Sequence, residues 1–392
     1  MFKIAIGHSE DPDTLSAANE LIKQCKIALE NQPPQAGLIF ASVSYDFPTL
    51  LNEIKKAYPD VQLVGCSSYG EISSLLGASE DSAALLLIAS DQLEIQGGLT
   101  QNIASEETKS TVVQAFDKLS KQIAKKPAFC CVFADGLHGN VTEVIEGIKQ
   151  SYGKFFPIAG GNACDDWMYE TVYQFYNQNV ATEAASYLLF SEPIKSSMAV
   201  FHGREPFPSL KKSFVTHSKG NVVYTIDHMT AIEFYRSQIG VQLENYIQGK
   251  TIPHALMIST KDPNKYLIRN PFRVNAEEGS LAFAGDIPEN AVVSVSKLSS
   301  PEATLKAAEI CVDKALSEFP GQKIGLALVF SCALRREILG SDTSKEIDII
   351  RNKLPQGTPI FGFYTYGEIG KYDNQDESHY QNETIVIALL GE

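Results

Sequence analysis

The sequence predicts an α/β protein made of three tandem β-α-β-α-β(β) repeats, with an α+β insertion between the second and third repeats. Residues 359–370 read P-I-F-G-F-Y-T-Y-G-E-I-G, a buried strand that runs into a glycine-punctuated polar loop. The same text recurs at 64–72, and a weaker copy lies at 158–165. A segment present three times indicates a duplicated architecture. The order of strand and helix patterns also recurs three times, whereas 197–290 has no counterpart.

The first repeat is predicted over 1–91. Apolar residues at helical spacing on one face predict its first helix, which ends at Pro33 and Pro34. The motif strand, the third of the repeat, ends near Cys66 in the glycine-rich loop. Predicted strands are 3–7, 38–43, 61–66 and 82–90, and predicted helices are 13–29 and 45–57.

The second repeat is predicted over 92–196 and follows the same order. Asn140 suits the N-cap of its second helix, and Glu143 three residues later suits a capping box. Its motif glycine, Gly160, follows Gly65 at about the length of one small domain. Predicted strands are 93–99, 128–134, 155–161, 171–175 and 185–191, and predicted helices are 106–124 and 140–152.

The C-terminal half is predicted to hold the insertion and the third repeat. Together 1–196 form a first domain and 197–392 a second, divided into the insertion at 197–290 and a third repeat at 291–392. The third repeat is predicted to begin with a strand at 292–295 and a helix at 301–319, followed by strands 323–332, 358–364 and 383–390 and a helix at 344–354. Strands predicted in the insertion are 198–201, 214–216, 222–225, 255–259 and 280–284, with a helix at 231–239.

Charge and cysteine content exclude several classes of function. The chain carries 33 basic and 47 acidic side chains, a net charge of −14, which disfavours nucleic acid or an anionic membrane as partner. Its apolar runs are too short to span a bilayer, and we see no secretory signal. Seven cysteines, an odd number set in apolar runs, fit a reducing cytoplasm with buried thiols.

Polar side chains follow two neighbouring strands of the third repeat, so we expect them to meet across a crevice at the strand ends. Gly362 and Gly367 leave room there for another backbone or a ligand. Arginine forks suit a carboxylate or phosphate. The alternative is that Glu368 pairs with Arg335 or Arg336 only to hold two loops together. The candidate ligand-binding residues are Ser331, Cys332, Arg335, Tyr364, Tyr366 and Glu368.

A catalytic site is not predicted. Cys332 beside Arg335 is a possible nucleophile, but a buried inert thiol is the favoured interpretation. No G-x-S-x-G elbow, Walker lysine or close histidine pair occurs. A haem needs a single proximal histidine in an apolar pocket, and His202 and His138 are the candidates, each more simply explained as an ordinary histidine.

Five motifs together resemble the FIST family of sensory proteins with paired FIST N and FIST C domains. They are G-C-S-S-Y-G-E-I from Gly65, A-D-G-L from Ala134, G-G-N-A-C-D from Gly160, F-S-C-A-L-R-R-E-I-L-G from Phe330 and G-F-Y-T-Y-G-E-I-G from Gly362. The resemblance covers nearly the whole chain. It implies an intracellular input module that binds small ligands such as amino acids, and it places the ligand site on the six residues above.

Two residues depart from the family pattern. Leu334 stands where a smaller residue is frequent, and Lys371 stands where proline is expected. A stand-alone bacterial subset of similar length is described as haem-binding nitric-oxide sensors that act on a histidine kinase. We therefore expect a small-ligand sensor that signals through a partner such as a histidine kinase, with haem and nitric oxide as one version. The alternatives are an amino-acid or small-anion sensor without haem, a thiol enzyme using Cys332, and a scaffold without a small ligand.

Overall fold

A computed structural model describes residues 2–30, 32–207, 212–240, 252–262 and 265–392. The described residues form three six-stranded mixed sheets and one eight-stranded antiparallel sheet. Each six-stranded sheet is built around one parallel strand pair and is covered on its outer face by two helices. The predicted fold class, three α/β repeats with an α+β insertion, is confirmed.

The first repeat closes as a β-α-β-α-β unit followed by a short hairpin and a return strand. Asp13 and Asp46 cap its two helices by accepting hydrogen bonds from the backbone N–H groups of Ser16 and Thr49. Its elements are β1 (Phe2–Ser9), α1 (Thr14–Leu29), β2 (Ala36–Ala41), α2 (Phe47–Ala57), β3 (Gln62–Ser67), β4 (Glu71–Ser73), β5 (Gly77–Ser79) and β6 (Ala83–Ser90).

The second repeat has the same order, including the short hairpin. Asn140 caps the second helix, as predicted, and accepts from the Glu143 N–H at 3.1 Å. Its elements are β7 (Ile95–Gln101), α3 (Thr108–Ser120), β8 (Pro127–Ala134), α4 (Val141–Tyr152), β9 (Ile158–Asn162), β10 (Gln174–Tyr176), β11 (Asn179–Ala181) and β12 (Ala184–Ser191).

The third repeat begins earlier than predicted and is interrupted by the insertion. Its first strand is β13 (Lys195–His202), which was predicted at 198–201 as part of the insertion. The insertion contains β14 (Ser213–Lys219), β15 (Val222–Ile226), β16 (Met229–Thr230), α5 (Ala231–Ile239), β17 (Leu256–Ser259), β18 (Tyr266–Arg269), β19 (Pro271–Asn275), β20 (Ser280–Phe283) and β21 (Val292–Val295). The repeat then resumes with α6 (Pro301–Ser317), β22 (Ile324–Cys332), α7 (Ala333–Leu339), α8 (Thr343–Lys353), β23 (Ile360–Thr365), β24 (Glu368–Gly370), β25 (His379–Gln381) and β26 (Thr384–Gly391).

Strand pairing explains this correction. β13 pairs with β26 over its whole length, from Lys195 opposite Gly391 to His202 opposite Thr384. β21, predicted to open the third repeat, pairs instead with β14 and β17 in the eight-stranded sheet. The insertion therefore separates the first strand of the third repeat from its first helix. The apolar strand β21 lies directly before that helix in the sequence, as the first strand of a repeat would, but it belongs to the insertion.

The short hairpins are exchanged between repeats. The hairpin β4–β5 of the first repeat pairs with β23 of the third, β10–β11 of the second pairs with β3 of the first, and β24–β25 of the third pairs with β9 of the second. Each six-stranded sheet thus takes four strands from one repeat and two from another. The exchange is cyclic, so it links the three repeats into a closed ring.

One central core joins the inner faces of the three sheets. Phe40, Phe133 and Phe330 occupy matching positions on the three central strands, with ring centroids 5.0 Å apart for Phe40 and Phe133 and 5.9 Å for Phe133 and Phe330. Phe363 packs on all three rings. Burial of each ring stabilises the fold by about 2–3 kcal/mol, so this cluster holds the ring of repeats together.

The motif glycines are required by backbone packing. A Cβ placed on Gly65, Gly160 or Gly362 would lie 1.7–1.8 Å from the carbonyl oxygen of the neighbouring parallel strand. Gly362 therefore accommodates another backbone, which is one of the two uses predicted for it. The close approach of the two strands therefore explains why glycine recurs in the sequence motif.

Candidate functional site

The sheet separates the predicted ligand residues into two groups. In the parallel pair β22–β23, Ser331 lies opposite Tyr364 and Cys332 lies opposite Thr365. Because successive side chains of a strand point to opposite faces, Ser331 and Tyr364 face the helices and Cys332 faces the inner side. The prediction that all six residues line a single crevice is therefore wrong.

The helix-side group is a buried ion-pair network centred on Glu346, a residue that was not predicted. Arg335 donates to Glu346 Oε1 at 2.5 Å through Nη2 and to Ser331 Oγ at 3.2 Å through Nε. Ser331 Oγ donates to Glu346 Oε2 at 2.9 Å, and the Tyr364 hydroxyl donates to the same oxygen at 3.4 Å. Arg335 also donates to the carbonyl of Thr304. These contacts tie α7, α8 and α6 to the sheet.

Among the described residues, neither Arg335 nor Arg336 pairs with Glu368. The alternative prediction, that Glu368 pairs with one of these arginines to hold two loops together, is therefore wrong. Arg336 donates to the backbone carbonyl of Tyr69 at 2.7 Å and pairs with Glu80. Its guanidinium also lies 5.1 Å from the centroid of the Tyr69 ring. Arg336 thereby joins the third repeat to the first.

The inner group consists of Glu368 and its hydroxyl partners. Thr365 Oγ1 donates to Glu368 Oε1 at 2.8 Å, and the N–H and Oγ1 of Thr384 donate to Oε2 at 3.0 and 2.8 Å. Burial raises the pKa of Glu368 to about 8, against hydrogen bonds that lower it. We therefore expect the carboxyl to hold its proton at pH 7.

Cys332 is not an activated thiol. It is 2% exposed, and burial first, then the nearby Glu368 and Glu383 carboxyls, raises its pKa well above the ordinary value. A thiolate nucleophile needs the opposite environment. The geometry thus removes the support for a thiol enzyme based on Cys332.

The position of Glu368 occurs in all three repeats. Strand pairing places Glu71, Gln174 and Glu368 opposite matching residues of the strand that receives each hairpin, namely Phe363, Cys66 and Gly161. Burial likewise raises the pKa of Glu71 to about 8. The remaining position of the three is held by Gln174, whose amide is neutral, and burial favours the neutral form of the two glutamates as well.

Glu71 belongs to a buried hydrogen-bond chain. Its carboxyl accepts from the hydroxyls of Ser68 and Ser82, and Ser82 Oγ lies 2.9 Å from His8 Nε2. The other ring nitrogen of His8 lies 2.7 Å from Ser73 Oγ. Burial lowers the pKa of His8 to about 4, so this imidazole is neutral. The chain fixes the exchanged hairpin of the first repeat.

The two candidate haem ligands lie in polar surroundings. His138 is 44% exposed at its side chain and lies 3.2 Å from Asp135 Oδ2. His202 Nδ1 accepts from the Arg204 N–H at 3.2 Å, and its pKa is lowered to about 4 by burial, with Arg335 and Arg204 adding to the effect. A porphyrin requires an apolar pocket around its proximal histidine, and the polar contacts of His138 and His202 in the described residues give no support to either as a haem ligand.

Tyr366 belongs to an aromatic surface where the three repeats meet. The aromatic surface, as we use the term, consists of Tyr69, Trp167, Tyr169 and Tyr366. Ring centroids are 5.3 Å apart for Tyr69 and Trp167, 5.4 Å for Trp167 and Tyr366, and 5.1 Å for the stacked pair Tyr169 and Tyr366. Each repeat contributes at least one ring. Of these four, only Tyr366 was predicted.

Asp165 holds the loop that carries Trp167 and Tyr169. Its buried carboxylate accepts from the N–H groups of Tyr169, Glu170 and Thr171 at 2.7–3.0 Å and from the Tyr366 hydroxyl at 2.9 Å. The motif G-G-N-A-C-D contains this residue, and that was its only signal in the sequence.

A cleft of about 410 Å³ lies at a second place, between α4, the insertion and the exchanged hairpin β24–β25. Its lining carries both signs of charge beside apolar side chains. The lining residues are Thr142, Ile145, Glu146, Lys149, Ser218, Gly220, Leu267, Arg269, Asp286, Ile287, Pro288, Glu289, Ser378, His379 and Tyr380. None of the six predicted ligand residues is among them.

Arg269 is the most buried charged group of the cleft. Its guanidinium donates to the backbone carbonyls of Ile268, Tyr380 and Asp286 at 2.9–3.3 Å. It also lies 5.4 Å from the centroid of the Tyr380 ring. Arg269 therefore joins the insertion to the exchanged hairpin across the cleft.

The part of the chain that the structure describes offers neither a metal-binding cluster nor a membrane-spanning helix. Within the described ranges, no group of three or more His, Cys, Asp or Glu side chains is arranged to hold a metal ion. None of the described helices combines the length and apolar character needed to cross a bilayer.

Comparison with known proteins gives two family matches. The model of the FIST N domain matches residues 35–229, and that of the FIST C domain matches residues 231–371. The boundary between them falls inside the insertion. An uncharacterized protein of Methanocaldococcus jannaschii is 23% identical over 190 residues, which are 46% of this chain and 36% of that protein. The chain thus spans about a third of the length of that relative.

Among solved structures, a cyanuric acid hydrolase from A. caulinodans aligns with a TM-score of 0.40 and 9% identity over 99% of both chains. A chorismatase aligns with a TM-score of 0.40 and 8% identity over 99% of this chain and 98% of that one.

Proposed function

The chain belongs to the FIST family, with a FIST N domain followed by a FIST C domain, and from this premise we propose that it senses a small ligand and signals through a separate partner protein. FIST domains are sensory domains, which supports a role in signalling. The single observation that carries the proposal further is the cleft of about 410 Å³ between the second repeat and the insertion.

The position of the cleft supports sensing because three parts of the molecule meet there. Thr142 and Ile145 come from α4, Ser218 and Ile287 come from the insertion, and Tyr380 comes from the hairpin that the third repeat lends to the second. A ligand in the cleft contacts all three parts at once. Its binding energy can therefore stabilise one arrangement of the insertion against the ring of repeats.

The chemistry of the lining favours a small zwitterion with an apolar part, such as an amino acid. Lys149 is held by Glu146 at 2.9 Å and Glu377 at 3.1 Å, and Glu289 pairs with His217 at 2.9 Å. Fixed charges of both signs suit a molecule that carries an ammonium and a carboxylate. This is the haem-free version of the proposal, and we favour it because His202 and His138 lie outside the cleft.

The proposed role is binding rather than catalysis. The thiol of Cys332 is buried with a raised pKa, and Ser331 is engaged with Glu346. The ligand signal is then read by a partner such as a histidine kinase. A direct check is to compare the autophosphorylation rate of a candidate kinase with and without this protein, at saturating ligand and in its absence.

A thermal-shift screen tests the proposal. Amino acids and small polar metabolites are added singly, and a ligand at about 100 times its Kd is expected to stabilise the folded protein by about 2.7 kcal/mol. Thr142→Trp fills the cleft and should abolish that shift. Thr343→Trp, at a half-buried threonine in the first turn of α8, is the matched control and should keep it. A panel without any shift, or equal shifts in both variants, contradicts the proposal.

Absorbance spectroscopy distinguishes the haem version of the proposal from the haem-free version. Purified protein mixed with haem should show no saturable Soret band if the haem-free version holds. A Soret band that shifts on addition of nitric oxide and is lost in His202→Ala or His138→Ala would contradict the haem-free version and support the haem version.

A further inference from the structure

The aromatic surface is partly open to solvent. Tyr169 is 53% exposed, and the adjacent Met168 is 55% exposed. Tyr169 and Tyr366 stack with an interplanar angle of 20°. A stacked pair with Trp167 beside it presents a broad ring face, and the faces of aromatic rings attract cations.

The surroundings of the aromatic surface are acidic. Glu337 accepts from the Tyr69 hydroxyl at 2.5 Å, and Glu80 pairs with Arg336 below the Tyr69 ring. Asp81 and Asp166 lie close enough together that Asp81 raises the pKa of Asp166, after the larger effect of burial. The negative charge near the rings thus exceeds what Arg336 compensates.

The loop that carries two of the rings is held in an unfavourable backbone conformation. Asp166, Trp167 and Tyr169 have φ angles of 53°, 64° and 54°, in the left-handed region that non-glycine residues rarely adopt. Such a backbone conformation is strained and persists where the surrounding structure enforces it. Here Asp165 and the Tyr366 hydroxyl, which accepts from the Trp167 N–H at 2.6 Å, enforce the loop.

We propose that the aromatic surface is the docking site for a positively charged segment of a partner protein, whose lysine or arginine side chains lie across the rings between the carboxylates. Charge complementarity favours this occupant, since exposed ring faces and unbalanced carboxylates both attract cations. A broad face suits a chain segment laid across it. The inference rests on the proposed function in that the docked protein would be the signalling partner.

Trp167 is the single tryptophan of the chain, so intrinsic fluorescence reports directly on this surface. The probe is a lysine–serine repeat peptide, and a glutamate–serine peptide of equal length is its control. We expect a saturable fluorescence change with the basic peptide alone. Raising the salt from about 0.01 M to about 0.15 M should weaken binding severalfold, because the Debye length falls from about 30 to about 8 Å.

Matched variants test which groups bind. Tyr169→Ala should weaken binding roughly threefold to fivefold, and Tyr169→Phe, which keeps the ring, should not. Glu337→Gln and Asp81→Asn should each weaken it and reduce the salt dependence. Phe155→Ala, at a 58% exposed ring elsewhere on the surface, is the negative control. Unchanged thermal unfolding of each variant confirms that the fold is intact.

Several results would overturn the inference. These are equal responses to the basic and acidic peptides, an unchanged affinity in Tyr169→Ala, or saturation by tetramethylammonium alone at the same concentration of positive charge. The last would assign the surface to a small organic cation. The assay does not involve the cleft, so its failure and the failure of ligand sensing are distinguishable.

Discussion

Replacing Glu368 by glutamine should stabilise the protein at neutral pH and weaken the pH dependence of its stability. The carboxyl is fully buried, faces hydroxyl and N–H groups of Thr365 and Thr384, and has a pKa of about 8 instead of 4.5. Between these two pH values the folded protein holds a proton that the unfolded protein has lost. The free energy of unfolding therefore falls as pH rises from about 4.5 to about 8.

The magnitude follows from this interval. Each pH unit costs about 1.4 kcal/mol, so the contribution of Glu368 reaches about 3 kcal/mol by pH 7. Glutamine keeps an oxygen acceptor for the Thr384 N–H and does not ionise. Gln174 shows that an amide fits the corresponding position of the second repeat. Glu368→Gln should thus gain nothing near pH 4.5 and about 3 kcal/mol at pH 7 relative to the wild type.

The assay is urea unfolding at pH 5, 6, 7 and 8, followed by far-UV circular dichroism. The difference between the variant and the wild type removes the contributions of all other groups, including His8, whose lowered pKa costs stability only as pH falls below about 6.5. Gln174→Glu is the reciprocal variant and should lose stability as pH rises. A difference between Glu368→Gln and the wild type that does not vary with pH would refute a protonated Glu368.

Three further predictions concern packing and the thiols. Gly362→Ala should destabilise the fold by more than about 3 kcal/mol, because its Cβ would lie 1.7 Å from the Val329 carbonyl oxygen. Gly357→Ala is the comparison: this glycine has open space around it but a φ of 81°, so alanine there should cost only the backbone strain of about 1–2 kcal/mol, and urea unfolding compares the two variants. Arg335→Ala should cost about 3–5 kcal/mol by leaving the Glu346 carboxylate unpaired, and equal stability in both proteins would contradict the buried pair. Cys332 should react with iodoacetamide at pH 8 only after denaturant is added, since all seven cysteines are buried, whereas rapid labelling of the native protein would restore the thiol enzyme.

The repeats were predictable from sequence because their motif is fixed by backbone packing. At Gly65, Gly160 and Gly362 the carbonyl oxygen of the neighbouring strand lies too close for a Cβ atom, so each copy of the motif has glycine there. The exchange of the hairpins was not predictable, since Glu71 and Ile72 follow β3 directly in the chain while pairing with β23. Short strands carry little information about which repeat supplies their partner.

The third repeat shows a different limit. Val292–Val295 is apolar, β-branched and placed before a helix, as the first strand of a repeat would be. Only strand pairing distinguishes it from Lys195–His202, and pairing across a long insertion leaves no local signal.

The sequence predicted which residues lie near the candidate site but not how their side chains are arranged. Ser331, Cys332 and Tyr364 do lie at adjacent strand ends, but their alternation places them on two faces of one sheet. Glu368 lies on β24, which pairs with β9 in another sheet. Glu346 and Trp167 were missed because they lie on a helix and in a loop without a motif of their own. The cleft joins residues far apart in sequence, and no local pattern in the sequence indicates that they meet.

The central claim is that a small ligand binds between α4 and the insertion. The most direct measurement is calorimetric titration of the wild type and of Thr142→Trp with the compound that gives the largest thermal shift. We expect saturable binding to the wild type and none to Thr142→Trp. Undiminished heat in the filled-cleft variant would show that the ligand binds elsewhere.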